Sequence, residues 1–500
     1  MIKNKVFVIL TLAILHQQTA IYAGLARTEI PIPKEPTVFY IENFDTSKVV
    51  GTGGKTGSGM VKGIGNENRY QLKLSIKDAA KKRGNKEKAK FIRYDGTEVE
   101  NFGEVIAASY ARHLFNDKDF IPAPDVSPVI NRNSTIISGV GPLATEYVEA
   151  TIPVVSQYLQ ATQDDAPRTG GSYVRTLDAY AKEKGITLKQ KVVKTDEGPI
   201  IEEEHVKIVN KPAGTTLEIG EMNLQDQTLI FRDDLALGIA LSALLGDWDV
   251  NPGNFIVLTN NINGQDVDRV ARIDFGHALN DLVASLLNPN RLKMNKPNQI
   301  MNFFNDEKLL GSSSKLWRDY PGLIPSQELV DAMLEIAGLQ KAAAAGEFAP
   351  AQKFLDLLAT LDPESKQDTI LANTIANTFI KINNAIDGKK ISKNLSPLKV
   401  VLEVSDNIEK FFADRAQEML EVATLMQLQV DIDTLIRAHV PGQPADKELQ
   451  NKIQKGLGNA TTYQGSSEIN WLKTDPKKPS FKGTLEEYIL ERTKQLALAQ

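Results

Sequence analysis

The stretch from Gly246 to His277, GDWDVNPGNFIVLTNNINGQDVDRVARIDFGH, limits what this chain can fold into more than any other. Before it lies an apolar run, Leu235 to Leu245, with Asp233 and Asp234 ahead of it. That pattern predicts a helix with acidic residues at its positively polarised N-terminus. Phe255 to Leu258 then reads as a strand, Asn263-Gly264 is a dipeptide favoured in two-residue hairpins, and Val267 to Ile273 reads as the returning strand. A hairpin brings the chain back to where it started. Asn254 and Asp274 are thereby placed side by side, and the helix delivers Asp249 onto a short loop at the same end.

These three residue types suit one chemistry. Phosphoryl transfer from ATP asks for little covalent work from a protein, but it needs carboxylate and amide oxygens to hold magnesium and an acceptor for the hydroxyl proton. Asn254 and Asp274 are the candidate ligands for Mg2+, with Mn2+ as a substitute. Asp249 is the candidate base, and Asp247 competes for that role. Either motif alone is common in turns and capped loops, so the weight comes from their order and the hairpin between them; a polar surface hairpin is the alternative.

Asp249-Val-Asn-Pro-Gly-Asn254 resembles the Asp-x-x-x-x-Asn catalytic loop of the protein-kinase-like superfamily, and Asp274-Phe275-Gly276 resembles its metal-binding triplet. The Gly246-Asp247 lead-in and the extended Asp274-Phe-Gly-His277 are similar to the phosphatidylinositol 3- and 4-kinases in particular. Those enzymes usually write Gly-Asp-Arg-His before the Asn. Here Trp248 and Asp249 follow Gly246-Asp247, no Arg-His pair is present, and Asn251 stands where the family's His would be. The resemblance implies an α+β, bilobal, protein-kinase-like fold, with a small β-rich ATP lobe, a large mainly helical lobe and further C-terminal helices.

An ATP lobe should then lie upstream. Gly51-Thr-Gly-Gly-Lys-Thr-Gly-Ser-Gly59 supplies Gly53, Gly54, Gly57 and Gly59, whose backbone amides can approach phosphate oxygens without Cβ obstruction. It departs from the Walker pattern, because Val49 stands where that pattern begins with Gly. Tyr70 to Ser75 alternates, with Tyr70, Leu72 and Leu74 on one face and Lys73 on the other. Lys73 is the candidate partner of the α- and β-phosphates, with Lys62 as second choice. A helix expected over Phe102 to Phe115 carries Glu104 in its first turn, either as an electrostatic cap or as the partner of Lys73. Glu98 and Glu100 are alternatives just before it. Thr145 to Val148 reads as a strand, either one entering a hinge, where Glu146 and Val148 would offer backbone groups to adenine, or a generic edge strand.

The amino terminus sets the compartment. Lys3 and Lys5, the apolar run Val6 to Leu15, and Thr19 to Ala23 before Gly24 read as a secretory signal of residues 1–23, cleaved after Ala23; a short membrane anchor is the alternative. The chain has no cysteine and a net charge of −5, which fits passage between redox compartments and argues against nucleic acid as a partner. An exported chain meets ATP only in another cell's cytosol. The combination resembles secreted phosphoinositide kinase effectors of intracellular bacteria, and implies a host membrane carrying phosphoinositides as partner, together with a host protein activator as a further one.

After the leader, the expected organisation is a linker (24–47), an ATP-binding lobe (48–150), a catalytic lobe (151–340), helices completing it or forming an accessory domain (341–440), and a polar tail with a terminal helix (441–500). Helical spacing is read over Ser326 to Gly338, Pro350 to Leu361, Lys366 to Ile386, Pro397 to Phe412 and Asp414 to Val440. Arg291, Lys293 and Lys296, in the segment after the metal-binding triplet, are the candidate headgroup contacts or else a solvated loop, and Lys81 to Lys90 is a second basic run. The reading is a kinase that transfers the γ-phosphate of ATP to an inositol hydroxyl. A protein or small-molecule kinase, and a catalytically dead binding scaffold, are the alternatives.

Overall fold

The computed structural model describes residues 39–40, 42, 44–51, 58–64, 69–73, 95–115, 122–130, 136–138, 147–149, 154–156, 173–177, 191–195, 198–202, 207–210, 215–218, 229–247, 249–250, 252–262, 265–279, 299–305, 323–343, 350–386, 388–392, 394–439, 446–474 and 480–498. The expected leader lies outside them. The chain is α+β. Its first half holds the strands β1 (Phe39–Tyr40), β2 (Phe44–Gly51), β3 (Ser58–Gly63) and β4 (Arg69–Lys73), the helix α1 (Asp95–Leu114), and then β5 (Val126–Ile130), β6 (Ile136–Ser138), β7 (Tyr147–Glu149) and β8 (Val154–Ser156). One six-stranded sheet runs in the order β1-β5-β8-β4-β3-β2. β1 and the first residues of β2 lie within the expected linker 24–47, so part of that stretch is strand. β6 and β7 pair only with each other among the described residues.

A second sheet follows. β9 (Tyr173–Thr176) precedes two separate hairpins, β10 (Lys191–Thr195) with β11 (Gly198–Glu202) and β12 (Lys207–Asn210) with β13 (Thr215–Glu218). Then come α2 (Leu229–Leu245) and the hairpin β14 (Phe255–Ile262) and β15 (Gln265–Arg272), which joins β9 in the order β15-β14-β9. Ile262 stands opposite Gln265, so Asn263 and Gly264 are the two residues between the strands, as the dipeptide predicts. α2 starts six residues before the expected Leu235. Asp234 therefore lies inside the helix, and its role is not capping: it accepts both Arg269 Nε and Nη2 at 2.8 Å and the Val270 amide at 2.8 Å. That pins α2 to β15.

The remainder is helical: α3 (Gln299–Asn305), α4 (Gln327–Ala343), α5 (Gln352–Ala359), α6 (Lys366–Ala385), α7 (Pro397–Ala438), α8 (Lys447–Gln464) and, after the short strands β16 (Ile469–Asn470) and β17 (Lys482–Gly483), α9 (Leu485–Leu498). Two helices expected over Pro397–Val440 are one helix of 42 residues. No Gly or Pro interrupts it, Pro397 sits at its first position where no amide partner is needed, and Asp414, the expected start of the second helix, pairs with Lys410 one turn back. α1 is built into this bundle. Phe102 packs on Phe354 (ring centroids 4.2 Å) and Phe379 (5.8 Å), and Tyr110 stacks on Phe412 (4.1 Å).

The expected polar tail is docked structure. α8, read as tail, is capped by Asp446, which accepts the Glu448 amide at 2.8 Å, and it ends at Gly465 with φ 63. Its Ile453 and Ala460 are buried. Gln429, 0% exposed on α7, donates to the Leu472 carbonyl (2.9 Å) and the Tyr488 hydroxyl (2.8 Å) and accepts the Leu472 amide (3.1 Å). Trp471 stacks on Tyr488 at 4.1 Å and donates Nε1 to the Gly483 carbonyl. Among the described residues no helix is long and apolar enough to cross a membrane. Trp471→Ala should lower stability by about 3–5 kcal/mol, read as a drop in the urea midpoint with unchanged slope.

Candidate active site

The end of α2 is set by sequence. Gly246 takes φ 71 and donates to the Ala243 carbonyl (3.3 Å), while the Asp247 amide reaches back to Ser242 O (2.9 Å). This paired closure needs a left-handed residue, which Gly supplies without a Cβ clash. The chain then turns sharply. Asp247 is fully buried, and one of its carboxylate oxygens accepts the Asp249 amide at 3.0 Å.

The other oxygen accepts Arg272 Nη2 at 2.8 Å. Arg272, also fully buried, is the last residue of β15 and uses all five of its N–H donors. Nε donates to Ser242 Oγ (3.1 Å), Nη1 to the carbonyls of Asn254 (2.8 Å) and Ile273, and Nη2 to Asp247 and the Asp249 carbonyl (3.0 Å). Its guanidinium lies over the rings of Phe255 (5.3 Å) and Phe275 (5.4 Å). One cation thus ties together the end of α2, the Asp249 loop, the start of β14 and the backbone just before Asp274.

Asn254 closes a 3-10 turn, Pro252–Asn254, and donates Nδ2 to the Asp249 carbonyl at 2.7 Å. Its amide oxygen is left as the end suited to a cation. The Ile273 amide bonds to Asn254 O (2.8 Å), which sets Asp274 beside Asn254. Asp274 itself has φ 57, a conformation an L residue adopts at a cost of about 1–3 kcal/mol unless its surroundings fix it. His277 Nε2 lies 4.0 Å from Asp249 Oδ2. Burial pushes the Asp247 carboxyl up to about 7; the Arg272 guanidinium and the Asp249 amide pull it down, and the charges of Asp249 and Asp274 add to the rise. Asp247, held on both oxygens, shapes the loop, whereas Asp249 is partly exposed at its surface.

Two further elements brace this loop. Arg415 on α7 donates Nε to the Leu244 carbonyl (2.7 Å) and Nη2 to Ala243 O, placing a buried cation at the negative end of α2. Burial pulls its guanidinium down to about 10, with Glu418 opposing, so it stays charged at neutral pH. Glu418, one turn on, accepts the Ile300 amide at 2.8 Å at the start of α3. From the other side α1 meets the turn after Asp274: a Cβ on Gly103 would lie 2.4 Å from the Ala278 carbonyl oxygen.

The upstream candidates are placed as follows. Lys73 ends β4, paired with Ser58 and Val154, and its side chain lies outside the described residues. Lys62 is on β3. Gly59 stands opposite Gly51 in the β2–β3 hairpin, and Gly53, Gly54 and Gly57 fall outside the described residues. Glu104, 6% exposed, sits in the third turn of α1 and not the first, because the helix begins at Asp95; Glu98 and Glu100 are within it. Val148 is in β7, in the small ladder with β6, away from the sheet that holds Lys73; the strand beside Lys73 is β8. Glu146, Arg291, Lys293 and Lys296 lie outside the described residues, as does the basic run Lys81 to Lys90.

The sequence reading missed Arg272, Arg415 and Gly103. Arg272 carried a signal, a lone cation between Val270-Ala271 and Ile273 at the end of a strand bound for the core. Arg415 and Gly103 carried none, since their roles arise from contacts with residues 171 and 175 positions away. Among the described residues no three His, Asp or Glu side chains are grouped to hold a metal alone. An Asn–Asp pair suits a magnesium that takes its other ligands from phosphate and water.

The family model of the LepB N-terminal domain matches residues 232–308, the stretch from α2 through the hairpin to α3. No curated protein matches the chain. Among solved structures, that of a Helicobacter pylori proinflammatory kinase, CtkA, is similar over 76% of this chain and 98% of its own, at 12% identity and a TM-score of 0.31. A likeness this loose carries no argument, and the chemistry must stand on the geometry.

Arg272→Met should cost about 3–5 kcal/mol, because Asp247 and three carbonyls lose their donor in the interior. Arg272→Met with Asp247→Leu should recover part of that loss, measured by denaturant unfolding of the three chains. Gly103→Ala should destabilise by about 1–3 kcal/mol through overpacking, whereas Gly458→Ala, where a Cβ meets nothing within 4 Å, should not.

Proposed function

We propose that this chain is a kinase-like phosphotransferase that moves the γ-phosphate of ATP to an inositol hydroxyl of phosphatidylinositol or a phosphoinositide. The observation that carries the reading is that the buried Arg272 holds the backbone of Asp249, Asn254 and Ile273 together, the backbone from which two carboxylates and an amide side chain, those of Asp249, Asp274 and Asn254, leave. Asp249 would accept or orient the hydroxyl proton. Asn254 and Asp274 would hold magnesium, which when bound neutralises charge on the phosphates.

The ATP side is read from the sheet. The glycine-rich segment connects β2 to β3, Lys73 ends the neighbouring β4, and the buried Glu104 and Glu100 stand on α1, whose Gly103 touches the turn after Asp274. Because β8 and not β7 pairs with β4, adenine would lie by β8. This supports the order of parts that an ATP lobe needs, with the hinge moved from Glu146 and Val148.

The lipid acceptor rests on Gly246-Asp247 and Asp274-Phe-Gly-His277, on the cations Arg291, Lys293 and Lys296, and on the leader-like amino terminus, which points to export from a bacterium and action at host membranes. The test is labelled ATP with magnesium and phosphatidylinositol or its monophosphates. Label should enter lipid and fall by a factor of about a thousand or more in Asp249→Ala, Asn254→Ala and Asp274→Ala, with folding retained. Label in a protein instead would replace the acceptor, and undiminished transfer by Asp274→Ala would remove the metal assignment.

A further inference from the structure

Five large apolar side chains are exposed among the described residues, and three of them, Ile64, Leu334 and Leu490, stand on separate elements. The other two stand together. Leu398 and Leu402, 49% and 44% exposed, are one turn apart at the start of α7, with the partly buried Ile391 and Leu395 in the connection before them. Residues four apart share a helix face, so the pair forms one apolar ridge.

Cations predominate in the chain around it, between Asp387 and Glu403. From Gly388 to Leu402 the sequence holds Lys389, Lys390, Lys393 and Lys399 and no acidic residue, in a chain whose net charge is −5. Lys389, Lys390 and Lys399 are exposed; Glu403 and Asp406, exposed on later turns, mark where the cationic stretch ends. The connection is held in shape. Asn383, 1% exposed on α6, donates Nδ2 to the Lys389 carbonyl at 3.0 Å, accepts Asn407 Nδ2 at 2.7 Å, and offers its own carbonyl to the Gly388 amide at 2.8 Å. A Cβ at position 388 would fall 2.0 Å from Asn383 Oδ1, so only glycine fits. The backbone at Gly388 and Lys389 is therefore fixed before anything binds.

We infer that the α6–α7 connection and the first turns of α7 form a docking surface for an anionic lipid bilayer, the leucines entering the interface and the lysines meeting the headgroups. An apolar ridge beside clustered cations is the combination that binds such surfaces, because each contribution alone is weak. A protein partner would have to match the leucines of α7 and the lysines with an apolar centre and an acidic rim of its own, whereas a bilayer offers both without a matched shape. The inference rests on the reading above for its choice of a membrane as partner, and is tested without catalysis.

The experiment is co-sedimentation of the full chain, without ATP, on vesicles of phosphatidylcholine alone or with phosphatidylserine. Binding should require the anionic lipid, and should weaken about tenfold or more in Leu398→Ser/Leu402→Ser and in Lys389→Glu/Lys390→Glu. All four side chains are exposed, so melting curves should be unchanged. Equal binding to neutral vesicles, wild-type binding by both double variants, no binding at all, or binding that appears only with added host protein would each overturn it. Vesicle binding without lipid phosphorylation would remove the lipid as acceptor and leave this surface standing. Phosphorylation of detergent-dispersed lipid without vesicle binding would remove this surface alone.

Discussion

Arg272 places five N–H groups on five acceptors where water does not reach, and the acceptors come from four different pieces of chain. A buried guanidinium with even one donor unpaired would be costly, since each unsatisfied charged donor costs more than a neutral one. The cation is therefore compatible only with the arrangement in which the end of α2, the Asp249 loop, Asn254 and Ile273 all close on it. Fixing those carbonyls fixes the side chains that leave the same backbone. The left-handed Asp274 persists for this reason: the strand before it is locked by Arg272 and the turn after it is packed against α1.

The supports extend outward from that point. Asp234 holds the start of the same helix–hairpin unit through Arg269 and Val270, and Arg415 holds its end from the long helix α7. Because α7 also carries Glu418 on α3 and Gln429 on the C-terminal segment, the far end of the sequence is coupled to the loop that holds Asp249. A terminal region that reads as polar and without chemistry is in this way part of the frame. Lys353 does similar work for the first sheet, where it donates to Asp125, the Val126 carbonyl and Ser127 at the entry to β5; burial pulls its ammonium down and Asp125 pushes it back up.

What was legible in the sequence follows from range. The hairpin β14–β15 and its turn were visible because strand alternation and Asn-Gly are local signals, and from them the meeting of Asn254 and Asp274 followed. Helix boundaries were less visible: α1 and α2 both begin earlier than their apolar runs, because tertiary contacts at Val99 and Asp234 extend them. The strand read as leading to the hinge pairs with β6 and not with the sheet that holds Lys73. Nothing in Thr145 to Val148 says which sheet it joins, and Val154–Ser156 is too short to outrank it by pattern. Arg272 was legible as a lone cation in apolar company and Arg415 was not, and what either holds depends on partners that no local pattern names.

The central claim is that the Arg272-centred rim binds magnesium and nucleotide together. The direct measurement is calorimetric titration of ATP into the purified chain with and without magnesium, repeated on Asp274→Asn, which keeps the shape of the side chain and removes its charge. The account predicts saturable, one-to-one binding whose affinity rises with magnesium in the wild type and loses that magnesium dependence in the variant. ATP binding that is indifferent to magnesium in both chains, or no binding in a folded wild type, would contradict it.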